Sequence, residues 1–362
     1  MSGSFDILDP GLSTTIQDLG RSGWLSVGAP GGGALDPEAH RLANALVGAA
    51  PHAAALEIRY LGPSLRALSG PVRLALVGGD VAMRLERAEG GEAETIGPWR
   101  SVTLQPGDVL RVGALKGAST ATLALSGGVA APLVLGSRST FARGGFGGRE
   151  GRALRAGDRI DAAEARAASG ADLWMPPQDR PALAPPPAEA CARIRVIPGP
   201  QQDHFPEEAL ARFFRAEWRV SRDADRMGMR LTGARLTHHP DPKGANIVSE
   251  GIAAGSIQVP AAGEPILLLA DRGTAGGYAK IAVAASVDLP LLGRLSPGAR
   301  LRFERVEVET ARAALRRREA ALQRAIAAVA PYHQPGVVDE SQLWSGNLIT
   351  AVAEGDAGAG GR

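Results

Sequence analysis

Cysteine is almost absent from this 362-residue chain: Cys191 stands alone. No intrachain disulfide can form, so the reducing cytoplasm is the expected compartment. A lone cysteine in a Pro/Ala-rich segment reads as inert rather than nucleophilic. Lysine is nearly as scarce, occurring only at Lys116, Lys243 and Lys280, so arginine carries almost all the positive charge. A formal net charge of only +2 argues against a nucleic-acid partner. No apolar run approaches the roughly 18 residues needed to span a bilayer. The opening MSGSFDILDPG lacks a basic-then-apolar leader pattern, so no membrane association is expected.

What is present is a globular composition, 44% hydrophobic and 22% charged, with length for two domains. Short strand-like runs recur at Leu56–Tyr60, Val72–Val77, Val81–Leu85, Val109–Val112 and Ala121–Leu125. Turns such as Pro106-Gly107-Asp108 separate them, which suggests a barrel or sandwich. One helix is expected over Pro37–Val47, with Asp36 as N-cap, Pro37 in the first position and Gly48 as stop. Helical spacing also marks Pro206–Phe214 and Glu309–Val329. Prolines at 176, 177, 181, 185, 186 and 187 mark a semi-rigid linker. The expected fold class is therefore mainly β with some α. The expected division is a domain over 1–175, a Pro-rich linker over 176–192, a second domain over 193–310, and over 311–362 a helix with a Gly/Ala-rich tail expected to be disordered.

The stretch Ser249–Lys280 has the layout of a site: polar groups at strand ends, with glycines where a backbone can approach a ligand. Tight turns in a β-rich core use glycine in the same way. A second glycine turn, Gly31-Gly32-Gly33, runs towards the helix N-terminus at Asp36, where free amides can hold an anion. It is not the phosphate-cradling GxxxxGK[ST] motif, and a plain connection is the competing reading. The loop Gly144–Arg152, dense in glycine and holding Arg149 and Arg152, is expected to be mobile: a closing loop or a hairpin end.

Several blocks fall in the order of one family. They include TTIQDLGRSGW (14–24), GAPGGGALD (28–36), GGFGGREGRALRAGD (144–158), PGPQQDHF (198–205), DRMGMRL (225–231), SEGIAAGSIQVP (249–260) and GGYAKIA (276–282). Over about residues 5–310, and weakly at Asn347-Leu348-Ile349, the chain resembles the carboxyltransferase-domain family. That family includes the C-type subunits of 5-oxoprolinase and is also called biotin-dependent carboxyltransferase or allophanate hydrolase subunit 2. The resemblance implies two cyclophilin-like β-barrels and work beside other chains: proteins like the B-type subunits of 5-oxoprolinase and like its A-type subunits, which are of the LamB/YcsF type. It implies ATP-driven opening of 5-oxoproline to glutamate. Which chain of the complex would hold the ATP is left open. The alternative is the carboxyltransferase component of a urea or amide carboxylase. Biotin would then come from another chain, because no lysine here sits in a Met-Lys-Met type hairpin. A third reading is a non-catalytic partner that regulates a kinase.

Urea and 5-oxoproline are both resonance-stabilised amides, and activating either places charge on the amide oxygen. Fixed donors to that oxygen and exclusion of water are therefore needed. Arg226 is a candidate for gripping a carboxylate or phosphate, or for an ion pair with Asp223 or Asp225. Gln258 would orient the amide or bond a neighbouring turn. Tyr278 and Lys280 would supply donors, or be a core ring and a solvent-facing lysine. Glu57 and Asp271 end apolar strands, where burial raises a carboxylate pKa, and are candidate general bases or turn caps; Glu250 is a third carboxylate. Arg21, Asn44, Gly31, Gly32 and Gly33 are candidate anion contacts, and Gly276 and Gly277 candidate substrate contacts. His238-His239 is not expected to bind a metal, because adjacent strand residues point to opposite faces.

Overall fold

In the computed structural model the described residues are 3–163, 170–187, 190–240 and 242–333. The tail and the block at 347–349 lie outside them. The first half of the chain is built of two antiparallel sheets. The six-stranded one has the order Arg159–Asp161, Ser4–Asp9, Ser64–Ser69, Val109–Val112, Met83–Glu86, Glu94–Ile96. The five-stranded one runs Ser13–Gln17, Ala55–Arg59, Thr120–Leu125, Val72–Val77, Ser101–Leu104. Alternate residues of both, among them Phe5, Ile7, Ile16, Leu56, Leu65, Leu74 and Leu123, fill one core.

The second half closes into a seven-stranded barrel: Cys191–Pro198, Lys280–Ala284, Ser256–Gln258, Ile266–Leu268, Gly228–Thr232, Trp218–Ala224, Arg300–Arg305. Closure depends on a parallel pairing of Cys191–Pro198 with Arg300–Arg305. Trp218, Phe213, Ile257, Leu267 and Phe303 fill its core. A two-stranded ribbon, Asn246–Gly251 with Ala275–Tyr278, stands apart from the barrel sheet, although the barrel strand that begins at Lys280 follows closely on Tyr278.

The expected helix forms as α1, Pro37–Leu46, with the Asp36 carboxylate accepting from the amides of Glu38 and Ala39. The next two are α2, Glu207–Arg215, and α3, Leu289–Arg294. The last, α4, Val308–Ala327, turns back onto the first half: Leu322 and Ala325 pack with Ala39, Leu42 and Leu46 of α1. The proline-rich stretch does not run free between the halves. Leu183 is buried in the same cluster, and its carbonyl accepts from Arg294 Nη1 at 2.5 Å.

The halves interlock. Leu35 of the first half is part of the barrel core. Ser119 Oγ and Thr120 Oγ1 both donate to the carbonyl of Gly293 in α3. No described helix is long and apolar enough to cross a membrane.

Candidate functional site

Ile257, Val259, Ala279 and Ile281 all point into the barrel core. Strand alternation therefore turns Gln258 and Lys280 to the outer face of the wall, where they are register partners on neighbouring strands. An outward Gln and Lys would ordinarily be wet. Here they are 6% and 2% exposed. The ribbon covers them. A Cβ built on Gly276 would lie 2.8 Å from Gln258 Nε2 and 2.6 Å from Ile252 Cδ1, so any side chain there would have to push these two side-chain ends aside. Lys280 Nζ lies 2.8 Å from Glu250 Oε1 on the ribbon. Gln201 Nε2 donates to the same oxygen at 2.9 Å, while Gln201 Oε1 accepts from the Lys280 backbone amide. The bonds from Lys280, then Gln201, hold the Glu250 carboxyl below its ordinary pKa. Gln258 Nε2 has no hydrogen-bond partner among the described residues. A buried lysine and an unsatisfied amide N–H₂ thus stand side by side beneath the ribbon, a pair of potential donors to oxygen.

The structure corrects the solvent-facing alternative for Lys280. Tyr278, by contrast, is 42% exposed on the ribbon, so neither a core ring nor a buried donor describes it. Gly277 lies in the same ribbon strand, with its Cβ position 3.2 Å from the Ile247 carbonyl.

A second cluster lies at the seam between the halves. Arg226 Nε and Nη2 donate to the two oxygens of Asp271 at 2.8 and 3.0 Å. Its Nη1 donates to Glu57 on the Ala55–Arg59 strand, and Nη2 also donates to the Gly33 carbonyl at 2.6 Å. Glu57 Oε2 accepts from the amide of Leu35 at 2.7 Å, which holds the inserted leucine in place. The ion pair weighed for Arg226 does exist, but with Glu57 and Asp271 rather than with Asp223 or Asp225. Burial pushes Asp271, in the turn after the Ile266–Leu268 strand, above the ordinary carboxylate range against the pull of Arg226. Both its oxygens are nevertheless occupied by the guanidinium, and those of Glu57 by the guanidinium and the Leu35 amide, so neither stands as a free base. No hydrogen bond joins this cluster to Gln258, Tyr278 or Lys280 among the described residues. The residues expected from sequence thus fall into two hydrogen-bonded groups.

The glycine turn belongs to the seam, and Arg21 beside it keeps Nε and Nη1 buried without a hydrogen-bond partner among the described residues. Gly32 N donates to the Ala270 carbonyl, and the Gly31 carbonyl accepts from Arg21 N. Gly33, at φ +84°, has its Cβ position 2.7 Å from Gly20 N. Arg21 is buried, donates through Nη2 to the Ser139 carbonyl at 2.5 Å, and stacks over Phe146 at 5.0 Å. Asn44 is not at this turn's anion position. Its Nδ2 donates to the Ala53 carbonyl at 2.9 Å and lies 3.1 Å from His40 Nε2. The loop 144–152 is pinned: Arg152 pairs with both oxygens of Asp158 at 2.7 and 2.8 Å, and Phe141 meets Phe146 edge to face. His238 Nε2 bonds the Val259 carbonyl, and among the described residues no three His, Cys, Asp or Glu gather into a metal site.

A family model described as "Carboxyltransferase domain, subdomain A and B" matches residues 27–305. The chain belongs to this family. Among its relatives, the C subunit of 5-oxoprolinase from Escherichia coli is 34% identical over 312 residues, covering 84% of this chain and 92% of that protein. The urea amidolyase of Lachancea kluyveri is 31% identical, covering 88% of this chain but only 18% of the relative. The solved urea carboxylase of Kluyveromyces lactis superposes with a TM-score of 0.80 at 28% identity, over 93% of this chain and 31% of that one.

Within this carboxyltransferase-domain chain, sequence reasoning missed Gln201 as the group that ties Lys280 to Glu250. It also missed Asp18, whose carboxylate accepts from Ser137, Ser139, Gly20 and Arg138 and orders the loop above Arg21. Burial pushes the Asp18 pKa up, but these bonds outweigh it and hold it below the ordinary value. Both residues lie inside blocks that carry the family resemblance, yet no local spacing distinguishes them. Gln201 and Glu250 are 49 residues apart, and the two serines stand 119 and 121 residues from Asp18.

Proposed function

We propose that this chain is the C-type subunit of an ATP-dependent 5-oxoprolinase complex, and that the covered Lys280–Gln258 pair receives the lactam oxygen. The observation that carries the reading is that pair: a buried ammonium and an unsatisfied amide donor side by side on one face of the barrel wall. Opening the lactam requires charge to build on its carbonyl oxygen, by phosphorylation of that oxygen or as an imidate. Two fixed donors in a water-poor site stabilise that charge. The overall reaction takes ATP, 5-oxoproline and two waters to glutamate, ADP and phosphate.

The choice of substrate rests on extent. This chain matches nearly the whole length of the bacterial C-type subunits but less than a fifth of the urea amidolyase. The carboxyltransferase reading draws on the closeness in shape to the urea carboxylase. It uses the same donors on the urea oxygen, with biotin brought by another chain.

The test is co-expression with companion A- and B-type subunits, followed by an assay of 5-oxoproline-dependent ADP release. Lys280→Met and Gln258→Leu in an assembled complex should each lower kcat by about 100- to 1,000-fold. Full turnover by either variant removes the assignment. Urea-dependent carboxylation without lactam turnover selects the second reaction.

A further inference from the structure

The donor pair is sealed, so a ligand must first move what covers it. The cover is a ribbon that hydrogen-bonds mainly to itself, through Asn246–Tyr278, Glu250–Gly276 and Gly251–Ala275 pairings. Most of its residues face solvent; Val248 is 90% exposed. Its contact with the buried pair consists of Gly276 resting on Gln258 and the Glu250 carboxylate resting on Lys280 and Gln201. The acid is the wet partner: its side chain is 45% exposed, against 3% for Lys280. The solvated acid can leave at little cost to itself, but the buried ammonium needs another anion in its place.

We propose that the ribbon is a lid and that Glu250 is its latch: an internal carboxylate occupying the place on Lys280 and Gln201 that the carboxylate of an incoming ligand takes over. Gln258 is held for the ligand's amide, because its Nε2 has no partner to give up among the described residues. The site thus selects small molecules that carry an amide beside a carboxylate. A neutral amide brings nothing to leave on Lys280 when Glu250 swings away, and the buried ammonium would be unpaired. The ligand class rests on the function proposed above; the latch does not.

The three-lysine composition makes a direct test available. The full chain is treated with a small amine-acylating reagent, and labelling of each lysine is followed by peptide mass spectrometry. Lys116 and Lys243 lie at exposed positions and serve as internal references. In the wild type Lys280 should label slowest. Glu250→Gln should raise its rate by about tenfold, the loss of one charge-assisted bond, without changing the other two. Glu250→Asp, which keeps the charge but shortens the reach by one methylene, should fall between and carries the test if Glu250→Gln does not fold. Lys280 labelling at the wild-type rate in every folded variant overturns the latch. With Glu250→Gln, 5-oxoproline should protect Lys280 while 2-pyrrolidinone, the same lactam without the carboxylate, should not. Faster labelling with protection by neither compound keeps the latch and removes the substrate reading. Equal protection by both overturns the selection for a carboxylate.

Discussion

His40 is 1% exposed on α1, and its Nε2 faces the Asn44 amide. Burial, only partly offset by a bond to the Ala53 backbone, lowers its pKa to about 4 from 6.5. The folded state therefore keeps His40 neutral while the unfolded chain takes up a proton below pH 6.5. Between these pH values the unfolded state binds more protons, so stability rises with pH. The contribution is complete above about 6.5 and is lost as pH falls towards 4, on the order of 3 kcal/mol in all. Urea midpoints of the wild type should fall over that window, and those of His40→Leu should fall less. Parallel slopes would contradict the assignment. Lys280 and Gln258 were visible in the sequence as polar residues standing between apolar neighbours in strand-like runs, since that pattern alone shows an odd side chain on a strand. What covers them was not visible, because Glu250 reaches Lys280 from a distant point of the chain, by way of a ribbon with no alternation of its own.

Elements with a local cause were read close to their ends. Asp36-Pro37 set the start of α1, and α4 runs Val308–Ala327 where Glu309–Val329 was expected. The ribbon strand Asn246–Gly251 has no local cause of this kind: it is exposed along nearly its whole length, and no buried stripe marks it. The glycine turn shows the same limit: a run of glycines shows that the backbone needs freedom and leaves open whether a ligand or another strand comes close. Here the neighbour is the chain itself. Gly33→Ala forces a left-handed φ of +84° on an alanine and also drives a Cβ to 2.7 Å from Gly20 N. It should cost about 2–4 kcal/mol in chemical denaturation. Gly23 has φ +88° but nothing within 4 Å, so Gly23→Ala should cost about 1 kcal/mol. Equal losses would show that close packing at the seam is not what the turn supplies.

At the scale of the molecule, one guanidinium joins two cores. Arg226 leaves the barrel half to meet Glu57 on a buried strand of the first half and Asp271 of its own, and it also holds the Gly33 carbonyl. Arg226→Met leaves two buried carboxylates without their cation and should cost about 3–5 kcal/mol. Arg226→Lys should recover less than half of that, because a lysine is a point charge and cannot span two carboxylates and a carbonyl at once. The halves should still unfold together in both variants. Leu35 remains inserted in the barrel core, and Arg294 of α3 still meets Asp36 at 2.7 Å and Glu38 at 2.6 Å, with Arg318 of α4 closing on the same Glu38. Coincident fluorescence and circular-dichroism transitions at a lowered midpoint are therefore expected. Two separated transitions for Arg226→Met would mean that this residue alone couples the cores and that the helix-borne cluster contributes nothing to holding the halves together.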